Sequence, residues 1–236
     1  MNKQFTTGIT YFLQEGRENL RECLGAAFAA ATRHNIQKII VFTAYGQGVA
    51  LALEEICSKP ELAHIKLIAV TFPVGQPFTD SEGKALEVDI SPEYKERFAK
   101  NSIPILRAHL PFHSIAPPHS NKGALGQDLS LVESALNVFG GSMSLCIQAI
   151  LIACDAGVVG RREHVIALTS DTAILAQAAP TTRMLTELAV REILCKPAIF
   201  SIGRGEMADQ LMLGLEAPKQ EGTVLEGQVL PPARQP

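Results

Sequence analysis

The chain has 236 residues, 47% of them hydrophobic and 19% charged, with a formal net charge of -3. That balance suits a single globular domain able to bury its own core. A mildly acidic chain without tryptophan and with three tyrosines lacks both the positive surface and the stacking platforms of a nucleic-acid binder, so neither nucleic acid nor an anionic membrane is an expected partner. The opening Met1-Asn2-Lys3-Gln4 has no signal-peptide core, and the apolar run at 143–154 is too short for a membrane span. Five scattered cysteines (Cys23, Cys57, Cys146, Cys154, Cys195) without a CxxC pair read as reduced, mostly buried thiols. A cytoplasmic protein is expected.

In chain order, Leu20, Leu24, Ala27, Phe28 and Ala31 recur at helical spacing, predicting a first helix capped near Glu18-Asn19 and ending at His34-Asn35. Residues 38–43, Lys-Ile-Ile-Val-Phe-Thr, form an apolar β-branched run of the kind buried on both faces of a parallel sheet. A helix at 48–57, a strand at 66–71, a helix at 92–100 and a strand at 103–107 repeat the pattern and imply βαβ units. Ligands then belong beyond the carboxyl ends of the strands, where the loops after Thr43, Thr71 and Arg107 converge.

Residues 72–89 and 109–127 read as long loops rich in turn formers. Helices follow at 129–139 and 143–156, then strands at 164–169 and 172–176, and a final, antiparallel candidate at 188–194. The expected architecture is a three-layer α/β/α sandwich with a mostly parallel sheet and an antiparallel strand near the C-terminus. The domain is expected to span 1–213, and the Pro-, Gly-, Gln- and Glu-rich segment 214–236 reads as a disordered tail.

Thr43-Ala44-Tyr45-Gly46-Gln47-Gly48 joins an apolar strand to a helix. Its amides should meet the positive end of the helix, its glycines allow close approach of a ligand, and the Thr43 hydroxyl can add a hydrogen bond. This outlines a phosphate cradle, and equally a tight βα connection. It is not a P-loop, because Val49-Ala50 stand where Lys and Ser or Thr would be. It is a poor dinucleotide fingerprint, because Leu51 replaces the third glycine and the next strand ends in Val70-Thr71 without an acid.

A second turn, Phe139-Gly140-Gly141-Ser142-Met143, opens a helix with Ser142 as a candidate cap, either as another anion site or as a corner between helices. A third, Thr169-Ser170-Asp171-Thr172, ends a strand at the same rim, where Asp171 could bond a sugar or ribityl hydroxyl. Asp155, near a helix carboxyl end, suggests a structural pair with Arg161 or Arg162. His109, His113 and His119 share one loop, but no paired acids, HExxH or CxxC accompany them, so no metal is assigned. No nucleophile–base pair is evident from spacing.

Tyr11-Phe12 with Gly16 and Glu18-Asn19, Thr43 to Gly48 with Val49-Ala50, Phe139-Gly140 before an apolar helix ending Ala153-Cys-Asp-Ala-Gly157, Val165-Ile-Ala, Asp171-Thr-Ala173, Val190-Arg-Glu-Ile193 and Lys196-Pro197 occur in a fixed order. As a series they resemble the free-standing archaeal and bacterial relatives of the pyruvate kinase C-terminal domain, over residues 11–197. The resemblance implies that fold, a phosphate held at Thr43 to Gly48, and FMN as a candidate ligand. The catalytic barrel of pyruvate kinase has no counterpart here, so pyruvate kinase activity is not expected. Three readings result: a binder of a phosphorylated small molecule, an FMN-dependent oxidoreductase, or an interaction module that forms homo-oligomers.

Overall fold

The computed structural model describes residues 6–76, 78–79, 85–86, 88–112 and 124–198. The chain runs β1 (Thr10–Phe12), α1 (Leu20–His34), β2 (Lys38–Phe42), α2 (Gln47–Ser58), β3 (Lys66–Thr71), β4 (Phe78–Thr79), β5 (Ala85–Leu86), α3 (Pro92–Lys100), β6 (Ile105–Arg107), α4 (Ala124–Asn137), α5 (Met143–Asp155), β7 (His164–Leu168), β8 (Ala173–Gln177), α6 (Met184–Glu187) and β9 (Ala189–Pro197). Seven strands form one sheet in the order β1-β9-β8-β7-β2-β3-β6.

The sheet is parallel at β1/β9, β7/β2, β2/β3 and β3/β6. Both pairings of β8, with β7 and with β9, are antiparallel. The one reversed strand is therefore β8, whereas the final strand β9, read as the antiparallel candidate, runs with the rest. The reversal follows from chain length: only Thr169–Thr172 separate β7 from β8, which is enough for a hairpin and far too short for a parallel crossover.

Alternate strand residues feed two cores, which makes the fold a three-layer α/β/α sandwich. On one face Ile39, Val41, Leu67, Ala69, Ile166, Leu168 and Leu175 pack with Cys23, Leu24, Phe28, Val49, Leu53 and Phe98 from α1, α2 and α3. On the other, Ile40, Phe42, Ile68, Val70, Val165, Ala167 and Ile174 pack beneath α5, with Val132 and Leu136 of α4 against them. Burial on both faces is why β2, β3 and β7 read as continuous apolar runs instead of alternating ones.

Several boundaries and elements differ from the sequence expectation. The three-residue edge strand β1 carries too short a pattern to register as a strand. The loop at 72–89 contains a two-residue antiparallel ladder, Phe78 opposite Leu86 and Thr79 opposite Ala85. Helix α4 begins at Ala124, inside the segment read as loop.

Asn19 stands at the N-cap position of α1 without a side-chain cap bond, and its amide instead donates to the Gln14 carbonyl at 2.7 Å, bracing the turn before the helix. Asp155 receives the Thr181 backbone and hydroxyl at 2.9 and 2.6 Å, while Arg161 and Arg162 both turn to Glu187. His113, His119 and the tail at 214–236 lie outside the described residues. Among the described residues no helix is long and apolar enough to cross a membrane.

Candidate functional site at the strand-end rim

Helix α2 follows β2 on one face of the sheet, and α5 precedes β7 on the other, so the chain diverges to opposite faces at neighbouring strands. In open α/β sheets such a switch point leaves a crevice beyond the carboxyl ends of the strands. A cavity of about 410 Å³ lies there, within the range of roughly 300–1,000 Å³ common to small-molecule sites.

Its walls come from Val41 to Tyr45, Gln47 and Gly48 of the β2–α2 connection, Ser142 and Leu145 at the start of α5, Thr169 and Ser170 of the β7–β8 turn, Phe72 after β3, and Arg17 and Leu20 at the start of α1. Seven predicted residues thus meet around one space: Thr43, Ala44, Tyr45, Gln47, Gly48, Ser142 and Ser170.

The turn after β2 is shaped by its own side chain. The Thr43 hydroxyl, 7% exposed, accepts the Gly46 amide at 2.9 Å. Gly46 sits at φ 96°, and a Cβ there would lie 2.9 Å from Tyr94 Cδ2 and 3.1 Å from Ile90 Cγ2. Glycine is therefore required both by backbone angle and by close packing against α3. Gly46 shapes the β2–α2 turn without lining the cavity. Helix α2 then starts with no side-chain cap, leaving its first amides and positive dipole end toward the cavity.

Helix α5 reaches the same space. Ser142 occupies its N-cap position but makes no side-chain cap bond; its amide donates to Thr172 Oγ1 at 3.0 Å. Gly140 and Gly141 have φ of 75° and 60°. A Cβ on Gly141 would fall 2.4 Å from Thr172 Oγ1 and 2.8 Å from Pro197 Cδ. This pair of glycines lets the helix start press against the β7–β8 turn, and neither lines the cavity.

Asp171 and Thr172 also sit behind the wall. Asp171 is 5% exposed and Thr172 is fully buried. One Asp171 oxygen accepts the Gly16 amide at 3.0 Å; the other accepts the Thr172 hydroxyl at 3.0 Å and the Thr169 hydroxyl at 3.4 Å. The carboxylate that sequence reasoning assigned to a ligand hydroxyl is engaged by protein donors, and it ties the β1–α1 turn to the β7–β8 turn.

Sequence reasoning missed Arg17, Phe42 and Phe72. Arg17 lies over the Tyr45 ring, 5.4 Å from its centroid, a cation–π geometry that places a positive charge at the cavity mouth. Phe42 and Phe72 meet edge to face at 4.8 Å, and Phe72 meets Phe78 at 4.7 Å. Arg17 directly follows Gly16, which stands out in the sequence only within the family resemblance, and Phe72 opens a loop that stands out only for its length and its turn formers.

Beyond Phe72, Arg107 donates to the Phe72 carbonyl at 3.2 Å and pairs with Asp89. Lys95, first, and Arg107 hold the Asp89 carboxyl below its ordinary range. Among the described residues no group of three or more His, Cys, Asp or Glu side chains is placed to hold a metal ion. No protein-family model matches the chain.

Proposed function

We propose that the chain binds a phosphorylated small molecule in the rim cavity, with FMN as the candidate that the resemblance to the pyruvate kinase C-terminal domain suggests. The observation that carries this reading is the meeting of two helix starts without side-chain caps, those of α2 and α5, with Arg17 around one cavity. Exposed amides at a helix start favour an anion, and a guanidinium adds a charge-assisted donor.

The residues present fit a flavin nucleotide. The Thr43 to Gly48 turn and Arg17 would hold the phosphate, the Thr43, Ser142 and Ser170 hydroxyls would meet the ribityl chain, and Phe42, Tyr45 and Phe72 offer aromatic surface to the ring. Bound FMN would supply electron transfer, with the chain supplying orientation and electrostatics. A binding or carrier role in the cytoplasm is proposed, and the described lining of the cavity, hydroxyl, glycine, aromatic and Arg17 groups suited to holding a ligand, supports the binding part of it.

The test is an absorbance spectrum of freshly purified protein, then titration with FMN followed by flavin fluorescence and competed with inorganic phosphate. Saturable quenching in the micromolar range, relieved by phosphate, supports the reading. A flat titration to about 100 µM FMN removes flavin, and indifference to phosphate as well removes the anion site.

A further inference from the structure

Behind the rim, two cysteines 172 positions apart in sequence touch. Cys195 of β9 donates its S–H to Cys23 Sγ at 3.3 Å, and Cys23, in the first turn of α1, donates to the Thr169 carbonyl at 3.6 Å. Both are fully buried and both are reduced. A third buried thiol, Cys146 of α5, donates to the Thr172 carbonyl at 3.5 Å. Beside its Asp171 bonds, the turn that walls the cavity therefore receives two S–H donors, one of which is half of a sulfur–sulfur contact.

We propose that Cys23 and Cys195 form a redox couple whose closure into a disulfide loosens the Thr169–Thr172 wall of the cavity. The oxidant class is a small hydroperoxide; Thr169 lines the cavity and its carbonyl is the hydrogen-bond partner of the fully buried Cys23, so the oxidant reaches the sulfur when this turn opens locally. The Cys23 sulfur attacks the distal peroxide oxygen, breaking the O–O bond, releasing an alcohol or water and leaving a sulfenic acid. The Cys195 sulfur then attacks that sulfur, the S–S bond forms, and the S–O bond breaks with departure of water. Two thiols are oxidised by two electrons and one peroxide is reduced.

Closure consumes both S–H groups, so the Thr169 carbonyl loses its Cys23 donor, while the Cys146 bond to Thr172 remains. The contact with Cys195 and burial push the Cys23 thiol well above its ordinary range. Reaction is consequently slower than at an exposed thiolate, and the pair responds to sustained peroxide.

The experiment uses the full chain carrying Cys57→Ser, which removes the exposed thiol and with it intermolecular pairing. The protein is treated with hydrogen peroxide, alkylated and mapped by peptide mass. Amide hydrogen exchange of residues 169–172 is measured before oxidation, after it, and after dithiothreitol. The expected result is a Cys23–Cys195 linked peptide, exchange at 169–172 faster by about tenfold, and reversal by dithiothreitol.

Cys195→Ala should abolish both the link and the peroxide effect on exchange, and Cys146→Ser should leave the link intact. Unlinked Cys23 and Cys195 under peroxide that fully oxidises Cys57 of the unsubstituted chain would overturn the proposal. So would a link through Cys146, or a Cys23–Cys195 link with unchanged exchange. None of these readouts depends on which ligand fills the cavity, so a failed FMN titration leaves the test intact.

Discussion

The Asp171 carboxylate receives the Gly16 amide at 3.0 Å across 155 residues of sequence. Through the Thr172 hydroxyl, which donates to Asp171 and accepts the Ser142 amide, the same carboxylate joins the start of α1 to the start of α5. Two walls of the cavity thus share one buried anchor.

Replacing Asp171 with Asn keeps the shape but sets an amide N–H2 or a weaker acceptor against donors already in place. Bonds to a charged acceptor are worth about 1.5–3 kcal/mol, and Asp171→Asn should lower the unfolding free energy by about that amount. A urea titration of both proteins checks it. An unchanged midpoint would mean that the Gly16 and Thr172 bonds contribute nothing net.

Glycine substitutions should have opposite signs at two positions. Gly46→Ala forces a Cβ into Tyr94 at a positive φ and should cost about 1–3 kcal/mol. Gly25, on the exposed side of α1, has nothing within 4 Å of a built Cβ. Gly25→Ala should raise stability by about 0.5–1 kcal/mol through helix propensity and a less flexible unfolded chain. Thermal melts of the two variants separate these effects.

Thr43→Val removes the acceptor of the Gly46 amide while keeping the β-branched shape. The loss should be about 1 kcal/mol, with Thr43→Ser close to the parent protein. A loss for Thr43→Ser with none for Thr43→Val would show that the methyl group, and not the hydroxyl, supports the turn.

Arg17 is exposed, and Arg17→Ala should change stability by less than about 0.5 kcal/mol. Its contact with the Tyr45 ring and its place at the cavity mouth predict a larger effect on anions, about a tenfold loss of affinity for inorganic phosphate. Calorimetric titration with phosphate measures it directly.

Glu187, next to Arg161 and Arg162, is held below the ordinary carboxylate range, chiefly by its hydrogen bonds from Arg161. A depressed folded-state pKa gives stability that is present above the unfolded value and disappears as pH falls through the folded one. Between about pH 6 and about pH 3 the parent protein should therefore lose stability more steeply than Glu187→Gln. The slope of urea midpoint against pH is the measurement, and parallel slopes would remove Glu187 from the acid response.

Local chemistry made much of this fold legible. Apolar runs at Lys38–Phe42 and Lys66–Thr71 announce strands buried on both faces, and the 20, 24, 27, 28, 31 spacing announces α1, because both patterns are set by which faces meet the core. The glycines of the β2–α2 connection likewise signal a helix start opening on a strand end. What sequence could not supply is partnership at a distance. The edge strand β1 exists through its pairing with β9, and the reversal at β8 rests on a hairpin turn tied to Gly16. Asp171 points inward because Gly16, Thr169 and Thr172 reach it first. Arg17, Phe72 and the Cys23–Cys195 contact belong to the site or its support only because three strand ends and three helix starts converge there. Spacing along the chain fixes periodicity, which is local; convergence depends on strand order, and strand order is decided only when the whole sheet assembles.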